Sequence, residues 1–205
     1  MRWPAEALWT ARWWWRLEKR QGHGIGTTLL FLALLILLVG LSQRKIPLSE
    51  AHTPLLFWIS YLFSLFQAIP RPLLERRPEE WRWLHALVSP EGGLAGLWLF
   101  AVSIAVGVGL ALAAGAAFFW KSAPPLDLTL TTGFTLSVPL LMSAFLSARV
   151  NGSYALAAIL GFPLLLFPLL WVLFHTRPPL LPLVLVGVAQ SILFFTLGPY
   201  LWKTG

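Results

Sequence analysis

Long runs without a single charged residue alternate along this chain with short clusters of Lys, Arg, Asp and Glu. The uncharged runs are 22–43, 51–70, 92–120, 128–148, 150–176 and 178–202, with His23, His52 and His175 as their only titratable imidazoles. Each meets the roughly 20 apolar residues that carry a helix across about 30 Å of hydrocarbon. The runs are continuous in Leu, Ala and Phe and lack the alternation of a membrane strand. The pattern therefore predicts an all-α polytopic membrane protein with six transmembrane helices, a single domain over residues 1–205.

Composition agrees, with 58% hydrophobic and 11% charged residues in 205. The 15 Lys and Arg residues add an orientation, because basic residues are retained in cytoplasmic loops. With the N-terminus inside, eleven lie on the inner side (Arg2, Arg12, Arg16, Lys19, Arg20, Arg71, Arg76, Arg77, Arg82, Arg149, Lys203) and four outside (Arg44, Lys45, Lys121, Arg177). Both termini are thus expected in the cytoplasm. This bias and contact with the anionic lipid bilayer account for the net charge of +7, so no nucleic acid partner is inferred. The absence of cysteine excludes disulfides, thiolate metal sites and cysteine nucleophiles. No small-residue cleavage site follows the first apolar run, so the first helix is expected to remain in the mature protein.

Ahead of that helix, residues 1–21 read as an amphipathic elbow. Arg12, Arg16, Lys19 and Arg20 share one helical face, and Leu8, Trp13, Trp14, Trp15 and Leu17 fill the remainder. This suits a helix in the headgroup layer, either as a plain anchor or as a frame for a partner's docking surface. Glu18 lies on the more apolar side, placed to pair with a nearby arginine or another subunit. Gly22, Gly24 and Gly26 form a joint; with no following Lys-Ser or Lys-Thr and no preceding strand, they are no phosphate loop.

The most distinctive stretch is the charged island 71–93, RPLLERRPEEWRWLHALVSPEGG. Arg71, Glu75 and Glu79 are spaced i, i+4, i+8, and Trp81, Leu84, Leu87 and Val88 recur at helical spacing. Pro70, Pro72 and Pro78 break its entry. The expectation is a short amphipathic helix across the cytoplasmic mouth of the second and third spans, ended by Ser89-Pro90 and Gly92-Gly93. Its competitor is a solvated loop whose ion pairs contribute about 0–1 kcal/mol each.

At these residues the chain resembles the haem exporter protein B family, the ABC-type permease subunits of cytochrome c maturation. Arg16-Leu17-Glu18-Lys19-Arg20 resembles the basic stretch that opens those proteins, and Leu56-Phe57-Trp58-Ile59 their second-helix opening. Glu75-Arg76 followed by Leu87-Val88-Ser89-Pro90 is similar to their acidic-basic loop closing in Leu-x-Ser-Pro. The chain departs from the family at Pro78 to Trp83 and at Gly96-Leu97-Trp98. The resemblance implies an ABC-2-like permease with an N-terminal interfacial elbow helix and a cytoplasmic coupling helix, in the bacterial inner membrane. Its implied partners are a separate cytoplasmic ABC ATPase and further membrane subunits of a haem-handling complex; a homodimer is a further candidate assembly. Glu18, Arg20, Glu75, Arg76, Ser89 and Pro90 carry over as partner-docking residues, none of them catalytic. Haem enters as a candidate cargo, and no cofactor is assigned to the chain itself. His23, His52, His85 and His175, with Met1 and Met142, are the available axial ligands; His52 and His175 both fall on the outer side.

Other chemistries fit less well. The spans hold no Asp, Glu, Lys or Arg, which argues against a proton-driven carrier. Glu79-Glu80 lacks the Arg and His of an intramembrane metalloprotease, and Ser137 and Ser143 lack a base. Gln67 and Gln190 suit interhelical bonds, and Pro139, Pro163, Pro168 and Pro182 suit kinks. Export of another amphipathic substrate, a lipid or a drug, and a non-transporting scaffold remain the alternatives.

Overall fold

The computed structural model describes residues 3–21, 24–45, 52–75, 84, 86–121, 123–149, 154–174 and 179–203. Helix α1 spans Trp3–Gln21, α2 Gly24–Lys45, α3 His52–Ala68 and the single turn α4 Arg71–Leu74. Helix α5, Pro90–Gly115, runs on into a π-helical turn at Ala116–Trp120; α6 (Leu126–Arg149), α7 (Tyr154–Phe174) and α8 (Leu180–Lys203) complete the chain. No strand occurs among the described residues.

Five segments are long and apolar enough to cross a membrane: His52–Leu74, Pro90–Trp120, Leu126–Ala148, Ala155–Phe174 and Leu180–Tyr200. The first apolar run forms a shorter helical stretch, Gly26–Ser42. Burial is uneven, and it orders the bundle: 78% of the α6 span is enclosed against 28% for α7 and 17% for α8. Helix α6 is the axis, and α7 and α8 present Ile159, Phe162, Leu185 and Ile192 outward, as expected of surfaces whose solvent is lipid.

Without a hydrophobic force between helices in lipid, close backbone approach and hydroxyl bonds join the spans. Tyr61 of α3 is fully buried and donates from Oη to the Ala105 carbonyl of α5 at 2.8 Å. It fits because α6 offers Gly133 there; a Cβ at Gly133 would lie 2.1 Å from the phenol oxygen. Thr135 of α6 donates to the Leu183 carbonyl of α8 at 3.0 Å and to its own helix at Thr131. Trp120 donates from Nε1 to the Ile36 carbonyl at 3.0 Å, fastening α2 to the π-helical turn.

Two features differ from the sequence reading. Ser89-Pro90 and Gly92-Gly93 begin α5 rather than end the island. Ser89 is the N-cap, its hydroxyl accepting from Gly92 N–H at 3.2 Å, and Pro90 takes the first helical position, where it has no N–H to leave unpaired. Helix α1, moreover, is part of the bundle. Ala7, Thr10, Trp14 and Glu18 form one buried face along α5, with Trp14 stacked on Phe100 at 5.7 Å between ring centroids. Trp14 is therefore a packing residue and not an interfacial anchor.

That packing explains the length of α5. Pro90–Trp120 is 31 residues, about 46 Å at ~1.5 Å per residue, while hydrocarbon needs about 30 Å. Helix α1 packs along the N-terminal half of α5. The contacts Glu6–Ser89, Thr10–Gly96, Trp14–Phe100 and Trp15–Ser103 advance together, so α1 and α5 run in the same direction.

Candidate functional site

The end of the bundle that holds the start of α5 gathers most of the residues singled out in the sequence. Glu6, near the start of α1, sets its carboxylate against the first turn of α5, where Oε2 accepts from the Ser89 hydroxyl and from Ser89 N–H, the latter at 3.2 Å. An anion suits this position, since the unpaired N–H groups of a helix start carry partial positive charge. The approach is close because Gly92 has no side chain: a Cβ there would lie 2.7 Å from Glu6 Oε2. One turn on, a Cβ at Gly96 would lie 2.4 Å from Thr10 Cβ. At Gly93 the same atom would meet the Trp202 ring at 2.4 Å, and Trp202 stacks on Phe145 at 6.3 Å. The first turns of α5 are thus clamped between α1 and the C-terminal ends of α6 and α8.

On the other side of the interruption, Arg71 donates from Nε to both oxygens of Glu75 at 3.0 Å and from Nη1 to Thr27 Oγ1 of α2 at 2.7 Å. The i, i+4 pair inferred from spacing is present. It is exposed, so its direct contribution to stability is small. Its geometric effect is larger, because Arg71 ties α4 to the start of α2.

Of the six residues expected to dock a partner, Ser89 and Pro90 are capping residues of α5, and Glu75 is an exposed carboxylate held by Arg71. Glu18 lies on the packed face of α1, 6% exposed, while Arg20 lies on the outward face with Arg12, Arg16 and Lys19. Glu18 and Arg20 therefore do not share one surface. Arg76 falls outside the described residues, as do Glu79, Glu80, Trp81 and His85. Of the candidate haem ligands, His52 opens α3 and Met142 packs partly buried against the core; Met1, His23 and His175 are outside the described residues. No cluster of three or more His, Asp or Glu groups suited to a metal is formed among the described residues.

Sequence reading missed Glu6 and the Arg71–Thr27 bond. A signal for the first was present: Ser-Pro followed by Glu91 is a helix-start pattern, and such a start attracts an acid from a neighbouring basic helix. The second joins residues 44 apart, and nothing local marks it.

Recesses lie among the described residues. One of about 560 Å³ is bounded by α2 and the π-helical turn, one of about 540 Å³ by Phe31, Phe66, Gln67 and Phe162, and one of about 490 Å³ by Trp98, Phe134 and Phe195. The last two are mainly aromatic or aliphatic, and the first is mixed. No family model, curated protein or solved structure matches this chain.

Proposed function

We propose that the chain is the membrane permease subunit of an ABC-type complex in cytochrome c biogenesis, exporting haem or releasing a haem-loaded chaperone. In this reading Gly26–Ser42 is the sixth span, the arrangement is ABC-2-like, and both termini face the cytoplasm of a bacterial inner membrane. ATP hydrolysis belongs to a separate subunit, and this chain has no catalytic residue. Support comes from the sequence resemblance and from one structural observation. Both edges of the charged island are bonded to other helices, Arg71 to Thr27 of α2 and Ser89 to Glu6 of α1. A force applied to the island would thus reach α1, α2 and α5 together, as a rigid-body device requires.

Affinity purification of the full chain from native membranes tests the reading. A co-purifying ATPase and a haem-dependent absorbance in the complex are expected. Glu75→Gln combined with Arg76→Gln should remove the ATPase while leaving membrane insertion intact. Arg71→Gln, which breaks the local ion pair and the bond to Thr27 but spares Glu75 and Arg76, should retain ATPase binding while weakening its coupling to cytochrome maturation. Normal ATPase binding and cytochrome maturation in the double variant would leave the island as a solvated loop, and full function without any ATPase would point to a scaffold.

The recess at Phe31, Phe66 and Phe162, with Gln67 as its one amide, favours a second reading: a permease for another amphipathic substrate, a lipid or a drug. Its signature would be substrate-stimulated ATP hydrolysis without haem.

A further inference from the structure

The opposite end of α5 carries irregularities that the permease reading does not use. The last turn, Ala116–Trp120, is π-helical, a rare geometry that is frequent at functional sites. It ends at Lys121, the one non-glycine residue with positive φ (54°) among those described. That C-terminal position normally takes Gly or Asn, because a Cβ is disfavoured in the left-handed region. A lysine is held there despite the cost, and it lines the recess of about 560 Å³.

The walls of the recess are part apolar and part polar. Leu37 and Leu41 of α2 face Phe118 and Phe119 across it, and the widened turn leaves those two rings 78% and 41% exposed. Gly40 makes the room, since a Cβ there would already lie 3.1 Å from Phe119 Cβ. Trp120, 4% exposed and bonded to the Ile36 carbonyl, fixes the floor. A partly apolar space thus opens at the end of a span beside the Lys121 side chain. Among its described lining residues none is His or Met.

We propose that this recess binds an anionic amphiphile, its acidic headgroup on Lys121 Nζ and its chain along Leu37, Leu41, Phe118 and Phe119. A carboxylate or phosphate accepts a charge-assisted bond from the ammonium, and the rings exclude water from the chain. The source of the headgroup is either a bilayer phospholipid or a free fatty acid. The site does not depend on an ATPase or on the permease reading.

The full chain in phosphatidylcholine nanodiscs is to be cross-linked with three tail-diazirine probes at equal mole fraction: a fatty acid, a phosphatidylglycerol and a phosphatidylcholine. Mass mapping should place label from at least one acidic probe on residues 37–41 and 116–121, about tenfold above the neutral probe, the ratio expected of one charge-assisted bond. The acidic probe that labels identifies the source. Lys121→Asn keeps a residue that tolerates the left-handed conformation and should abolish the preference. Gly40→Leu fills the space and should remove the label with the charge still present. Equal labelling by phosphatidylcholine, an unchanged preference in Lys121→Asn, or persistent label in Gly40→Leu would each overturn the proposal.

Discussion

Replacing Glu6 by Ala should loosen the start of α5 more than its position near the chain terminus suggests. Glu6 Oε2 accepts two bonds from Ser89, one from the hydroxyl and one from N–H at 3.2 Å. A hydrogen bond to a charged group contributes about 1.5–3 kcal/mol when water is excluded, and an anion at a helix start adds about 0.3–1 kcal/mol. The clasp is part-buried, so water recovers some of the loss, and the N–H bond is at the long end of the normal range. The expected cost is about 2 kcal/mol. Ser89→Ala removes the same hydroxyl and also the cap of Gly92 N–H, so it should cost at least as much. The two changes share one bond, and the double variant should fall short of additivity by about 1 kcal/mol. Reversible unfolding in mixed micelles, titrated with sodium dodecyl sulfate, reads all four corners of the cycle. Hydrogen exchange at the Gly92 and Gly93 amides reads the local effect and should accelerate in either variant. A coupling below about 0.3 kcal/mol, with exchange unchanged, would refute the clasp and leave Glu6 as a solvated side chain.

Two further outcomes test the packing. Gly133→Ala places a methyl 2.1 Å from Tyr61 Oη and should cost about 1–3 kcal/mol in the same unfolding assay. In a Tyr61→Phe background, where the next ring atom lies 3.3 Å away, less than half of that cost should remain; an undiminished cost would show that the phenol is not what Gly133 admits. Trp14→Ala, at a side chain 1% exposed against Phe100, should cost about 3–5 kcal/mol, whereas Trp9→Ala, 44% exposed, should stay within about 0.5 kcal/mol. Equal effects would mean that α1 is a surface anchor.

Much of the architecture was legible because hydrocarbon imposes one pattern on any helix that crosses it. The runs at 51–70, 92–120, 128–148, 150–176 and 178–202 each correspond to a helix of the bundle, since a charge-free run of that length has no other way to satisfy its backbone. The basic face of α1 was legible for a similar reason: Arg12, Arg16, Lys19 and Arg20 recur at helical spacing, and all four are exposed. The partner of the opposite face was not. Periodicity states that Ala7, Thr10 and Trp14 share a side, but a lipid surface and a neighbouring helix both accept that side. Of the residues expected to dock a partner, Ser89 and Pro90 carry a local signal, whereas the separation of Glu18 from Arg20 follows from which face of α1 meets α5.

What decides between lipid and helix is backbone access, and here the glycines carry the information. Gly92 and Gly93 read at first as punctuation after Ser89-Pro90, because Gly is a usual helix terminator, and Gly96 only as part of a departure from the family pattern. Following a serine cap and a proline at the first position, the same residues serve the opposite role. They keep the first two turns of α5 bare so that Glu6, Trp202 and Thr10 can sit against the main chain. A side chain at any of the three would force an approach of 2.7 Å or less, so filling them should expel α1 or Trp202 before it unwinds α5. The charged island is then the visible part of a larger assembly. Its two edges are fixed by bonds to α1 and α2, and the helix it leads into is gripped by chain segments from both ends of the sequence.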